Sequence, residues 1–273
     1  MKRPRNLIIS AIVMCAILYA IGAFATAYIS SPWGRGQFRP AVIIPAAFAV
    51  VFGPIPAALG ASIGTLLADS IKHGTLYIPS LTAAVPGNFL GFYIFGRILE
   101  EGFSWRRFIL ASFIGMVIGN LVVAYLYVPT ISLLGALPNL TQSDMILLAT
   151  GLFLWFFVTE FPFMLILLPP LIRAISSSFP GLVPKEVRLS SLREDLPRRS
   201  FAISLMIPGL MMLAIWALMS FTIVGGMIGD GLAIKLSSRF SQLTLDLMKL
   251  MFGLSGGTLT VAGLILRAFY SRE

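Results

Sequence analysis

Asp69, Asn88, Asn120 and Glu160 each interrupt a run of sequence otherwise built from Ala, Val, Ile, Leu, Phe and Gly. A carboxyl or carboxamide in such a setting is costly unless it meets a partner, so it faces a protein interior or a water-filled cavity. The chemistry on offer is hydrogen bonding and ion pairing, among these groups or with a ligand. Trp155, five residues before Glu160, offers a flat stacking face, and the stretch "SSPWGRGQFRP" adds Trp33, Arg35 and Arg39. A few convergent polar groups with aromatic walls is what a small-molecule pocket requires. Plainer roles stand beside this one. Asn88 and Asn120 serve equally as helix-to-helix bonds, Trp33 as an interfacial belt residue, and Asp69 as a helix cap or a partner for Lys72. Glu160 is open between a ligand group, a proton-relay carboxylate and a buried neutral acid.

Several chemistries are excluded. One cysteine, Cys15, gives no disulfide framework and no thiolate metal site, and one histidine, His73, gives no multi-histidine centre. There is no Gly-rich phosphate loop ending in Lys-Ser/Thr, no His-Glu-x-x-His and no Gly-x-Ser-x-Gly. Paired-aspartate chemistry needs two acids at mid-membrane, and only Glu160 is there. No enzyme, no metal and no cofactor is expected.

The elements that must position these residues follow from hydropathy. The chain is 58% hydrophobic and 11% charged, with mean hydropathy +0.92, against about 25% charged residues in soluble domains. The expected fold is an all-α polytopic membrane protein. Eight hydrophobic segments are predicted: 7–29, 39–52, 55–71, 84–98, 108–128, 145–173, 201–224 and 244–269. Gly53-Pro54 turns the second directly into the third, since the residue before a proline leaves the helical region. The sixth is long enough to tilt or protrude. The start, "MKRPRN" then an apolar run and "ATA", resembles a signal peptide. The run continues through Tyr28 and Ile29, so a retained first helix is expected.

With the N-terminus inside, 14 Lys and Arg fall on the inner side and 5 on the outer side, Lys249 lying near the start of segment eight. This split follows the positive-inside rule and predicts a plasma-membrane protein with both termini cytoplasmic. The net charge of +9 is therefore read as topogenic, with no nucleic-acid partner. Asp69, Asn88 and Asn120 then share a similar outward depth, and Glu160 sits near mid-segment. The expected organisation is a six-helix domain over 1–175, a basic cytoplasmic linker over 176–200, and an added two-helix transmembrane segment over 201–273. Small residues at four-residue spacing recur in segments one, three, four and five, as in Ala16–Ala20, Gly60–Gly64–Ala68, Gly87–Gly91 and Gly115–Gly119. Such faces let helix backbones approach closely.

The run "RPAVIIPAAFAVVFGPIPAALGASIGTLLADSIKHG", followed by "IPSLTAAVPGNFLGFYIFGRIL", resembles the substrate-binding membrane subunits, or S components, of energy-coupling factor (ECF) transporters. The points of likeness are Phe52-Gly53-Pro54, the small residues from Gly60 to Asp69, and Gly87 to Arg97. "GMVIGNLVVAYL" and "PFMLILLPPLIRAI" also fit, so the likeness covers about residues 7–175. It implies high-affinity capture of a vitamin-sized molecule at the extracellular side, under the loop between helices one and two. It also implies docking on a membrane coupling subunit through an Ala-x-x-x-Ala face of helix one, and ATP-driven uptake by two cytoplasmic ATPases. Ala16 and Ala20 match that spacing, with Ala23 and Ala27 as a second candidate. The trailing pair departs from the six-helix pattern. The alternative is a stand-alone secondary permease with Glu160 as its proton-coupling acid.

Overall fold

A computed structural model describes residues 4–31, 34–137, 140–191, 198–226 and 238–270. Among these the chain is helical with no strands. It divides into two compact units, one of Met1–Ile29 with Gln37–Leu196, the other of Ser30–Gly36 with Pro197–Glu273.

In the first unit α1 (Arg5–Ala25) leads through the segment before Pro40 into a short 3-10 turn and α2 (Ile43–Phe52). Gly53 then takes φ +97°, a backbone conformation that side chains with a Cβ rarely adopt. Pro54 opens α3 (Pro54–His73), where its missing N–H costs nothing because first-turn donors have no helical partner. The expected hairpin is therefore present, with a one-residue link. A π-helical turn, Ser80–Ala84, feeds α4 (Val85–Glu100). Next come α5 (Trp105–Leu133), α6 (Gln142–Ser178) and a short α7 (Lys185–Leu189). Ser104 caps α5 by accepting from the Arg107 amide at 3.2 Å. Thr141 and Asp144 form a reciprocal capping box at the start of α6. The second unit contains α8 (Arg198–Phe221) and α9 (Ser238–Tyr270), packed on each other.

Among the described residues, six helices are long and apolar enough to cross a membrane: α1, α3, α5, α6 and the greater part of α8 and α9. α2 has 10 residues and α4 has 16, so both are short of a full crossing by themselves. The chain is a multi-pass all-α membrane protein.

Apolar burial drives little helix association in lipid, so close packing must do it. A Cβ on Gly60 would lie 2.6 Å from Cys15 Sγ, and one on Gly64 would lie 2.7 Å from the Ala16 carbonyl oxygen. The contacts advance together along both helices, so α1 and α3 run parallel. Between α4 and α5 the order reverses: Gly87 faces Gly119 and Gly91 faces Gly115, with a Cβ on Gly91 only 2.9 Å from the Gly115 carbonyl oxygen. In the second unit a Cβ on Gly256 would stand 2.9 Å from the Gly209 carbonyl oxygen. Gly257, one residue on, has nothing within 4 Å.

Forcing a side chain into these contacts moves backbones apart. Gly91→Leu is expected to destabilise the protein by about 1–3 kcal/mol through overpacking, seen as a lowered melting temperature in detergent. Gly257→Ala is expected to leave melting unchanged or slightly raised, because it adds only helix propensity.

Candidate functional site

Thr65 and Asp69 are four residues apart on α3 and so share one helix face. Thr65 is fully buried and Asp69 is 4% exposed. Arg39 comes to them from the end of the loop that precedes α2, where Pro40 fixes the start of the 3-10 turn. Its guanidinium donates to both the Asp69 carboxylate and the Thr65 hydroxyl. Gln37 completes the ring: its Oε1 accepts from Arg39 at 3.2 Å, and its Nε2 donates to Asp69 at 3.2 Å. Two charges removed from water in this way persist only with such added hydrogen bonds.

A second polar contact lies between α5 and α6. Asn120 Nδ2 donates to Glu160 Oε2 at 3.0 Å, and both residues are buried. Arg39 is coupled most strongly to Asp69, then to Tyr19 of α1 and then to Glu160, so the two contacts lie within one another's electrostatic range. Five elements of the bundle thus contribute: α1, the segment before α2, α3, α5 and α6. One guanidinium faces two carboxyls, and Asp69 already occupies it. Among the described residues Glu160 has no ion pair of its own, and the Asn120 amide is the side chain that donates to it.

Local contacts fix the chain around the cluster. Pro162, two residues after Glu160, has no N–H to give the Val158 carbonyl, which interrupts the helical ladder beside the acid. Thr159 turns its hydroxyl to the Trp155 carbonyl at 2.6 Å. Phe38 and Phe163 meet edge-on with ring centroids 5.5 Å apart, tying the segment before Arg39 to α6.

The expected residues fare differently. Arg39 with Asp69, and Asn120 with Glu160, come together in one cluster. The expected alternative of Asp69 paired with Lys72 is not what forms: Lys72 donates to the Ala27 carbonyl and lies over the Tyr28 ring. Trp155 is buried on α6 at 1% exposure. Asn88 is half-buried on α4, level with Asn120 because Gly87 faces Gly119, and it makes no hydrogen bond within the cluster. Trp33 lies outside the described residues. The alanines expected as a docking face are inside the chain, for Ala16, Ala20 and Ala23 are buried and α3 occupies the Cys15–Tyr19 side of α1. Ala27 is buried beyond the end of α1, so Ala23–Ala27 is not a helical face. The outward face of α1 carries Ile9, Val13, Ile17 and Ile21 instead.

Sequence reasoning did not single out Tyr19, Gln37 and Thr65. The signal for Thr65 was available in its i, i+4 relation to Asp69. Gln37 and Tyr19 gave none, since only the folded loop brings Arg39 across to them.

Breaking one half of the ion pair leaves an uncompensated buried charge. Arg39→Met and Asp69→Leu are each expected to cost about 3–5 kcal/mol, and the double substitution less than either. Thermal unfolding of the four proteins of that cycle measures this. Additive losses would contradict a direct pair.

Among comparisons with known proteins, the family model described as "ECF-type riboflavin transporter, S component" matches residues 6–176. The match covers more than half of the chain and all of the elements that build the cluster. No curated protein and no solved structure matches.

Proposed function

The chain belongs to the S component family of ECF-type riboflavin transporters, and on that premise we propose that the Arg39–Asp69–Asn120–Glu160 cluster is where it captures a vitamin-sized organic molecule from the extracellular side. Members of this family are membrane-embedded transporter subunits, not enzymes, that associate with ECF membrane and ATPase subunits. Riboflavin is the first ligand to test, because the family is described by it.

The single observation that supports this reading is the charge balance of the cluster. Arg39 is matched by Asp69, which leaves the Glu160 carboxyl and the Asn120 amide as an acceptor and donor pair in the bundle interior. A neutral ligand edge with alternating N–H and C=O groups, such as the pyrimidinedione edge of a flavin, complements that pair. A carboxylate or phosphate would bring a further negative charge beside two carboxyls, which a buried site disfavours. Tyr19 and Trp155 add buried aromatic surface on two of the contributing helices.

The orientation follows from the distribution of Lys and Arg. The cluster lies toward the end of the bundle that holds the loop before α2, and the opposite end carries the larger share of basic residues. Both termini are then cytoplasmic and the loop is extracellular. A coupling subunit would meet α1 on its outward apolar face, since its small-residue face is filled by α3. ATPases bound to that subunit supply the energy, consistent with the lack of a phosphate-binding loop in this sequence.

Titration of the purified protein with riboflavin, read by flavin fluorescence, tests the ligand and the site together. Saturable binding is expected, and Asn120→Ala and Glu160→Gln are each expected to weaken it about tenfold or more, or at least ~1.4 kcal/mol, with melting temperatures retained. Wild-type affinity in both variants would remove the cluster from the site. Proton-coupled uptake by the protein alone in liposomes would favour a secondary permease instead.

A further inference from the structure

The stretch after α6 is not a loose tether. Residues 179–191 fold back under the end of the bundle where α4 finishes and α5 begins. Val183 and Val187 are buried there, at 4% and 3% exposure. The Phe103 amide donates to Glu186 at 3.4 Å. Arg173, near the end of α6, donates to the Arg188 carbonyl at 3.3 Å and to the Ser190 carbonyl, and its guanidinium sits 5.6 Å from the Trp105 ring. These contacts hold α7 beside the first turn of α5.

What the strap turns outward is chemically distinctive. Lys185 and Arg188 on α7 are exposed, and so are Arg106 and Arg107 on the adjoining turn of α5. The ion pairs among the described residues are Arg39–Asp69 and Arg97–Glu100, so none of these four cations has a carboxylate partner among them. Among the described residues the acids nearby are Glu100, paired with Arg97, Glu186, facing the Phe103 amide, and Glu101. Beside the cations stand two large exposed apolar side chains, Phe179 at 59% and Leu189 at 71%. Phe179 follows the last turn of the membrane-spanning α6, and Leu189 closes α7.

We propose that residues 179–191, together with the first turn of α5, form a docking surface for anionic phospholipid headgroups. Lys185, Arg188, Arg106 and Arg107 face the headgroup phosphates, while Phe179 and Leu189 enter the acyl boundary. Basic residues next to a membrane span gain from the negative surface of such a leaflet. An amphipathic segment lies in that plane with its apolar side chains toward the lipid. The occupant is the bilayer itself, which adds to the contacts that already hold the strap on the bundle. This surface is at the opposite end of the bundle from the Arg39 cluster and does not depend on which molecule that cluster binds.

Hydrogen exchange of the full-length protein in nanodiscs tests the proposal. Discs of phosphatidylcholine alone are compared with discs that also contain phosphatidylglycerol. The α7 amides are expected to exchange at least about fivefold more slowly in the second, with α3 and α5 unchanged. Arg106→Gln, Arg107→Gln, Lys185→Gln and Arg188→Gln combined are expected to abolish the difference. Arg107 also donates to the Gly102 carbonyl at 3.3 Å, so a triple variant that keeps Arg107 is measured alongside and is expected to lose most of it. Equal protection of the wild type in both discs, or a lipid effect that survives in both variants, overturns the proposal. Inorganic phosphate added to detergent-solubilised protein is the third arm. Full protection from it would assign the surface to free phosphate and likewise overturn a membrane role.

Discussion

A guanidinium buried in a membrane-spanning bundle must be matched, and the pairing of Arg39 with Asp69 is the constraint on which the first unit depends. The pair forms only if a segment outside α1 crosses the bundle to reach the far end of α3. That in turn requires α2 to be short and to return at once, which the Gly53-Pro54 link permits. It also requires α1 and α3 to approach closely enough to seal the pair from lipid, which Gly60 and Gly64 allow. The small-residue faces, the one-residue turn and the acid at the end of α3 are thus parts of one arrangement.

The same pairing determines what the neighbouring groups are able to do. Because Asp69 holds the guanidinium, Glu160 is left with Asn120 as its hydrogen-bond donor. On the proposed reading, an acid in this position would favour ligands that donate hydrogen bonds over those that bring negative charge. The proline two residues beyond it removes one donor from the α6 ladder at the same level.

Much of the fold was legible in the sequence. The hairpin at Gly53-Pro54 and the small-residue faces from Gly60 to Gly119 follow from local chemistry and hydropathy, whereas the short lengths of α2 and α4 did not set them apart from the other expected spans. The site was legible only in part. Asp69, Asn120 and Glu160 stood out because polar groups in apolar runs are costly, yet their pairing did not follow, since register between helices is set by packing. Lys72 was the nearer partner for Asp69, three residues on along α3, but its ammonium reaches the Ala27 carbonyl while Asp69 is taken by Arg39. The alanines of α1 misled for a related reason. Four-residue spacing identifies a face that packs closely, without saying whether the neighbour is another helix of the same chain or a partner. The strap after α6 read as a basic linker, because Val183 and Val187 give no periodic signal over so short a stretch.

The central claim is that the buried cluster is the binding site of an ECF S component. The most direct test is a structure of the protein bound to riboflavin or to a molecule that co-purifies with it. The account predicts the ligand within the first unit, with a polar edge at hydrogen-bonding distance, about 2.7–3.2 Å, from Glu160 and Asn120. A ligand seated elsewhere, with the Asn120–Glu160 and Arg39–Asp69 contacts untouched, would contradict it.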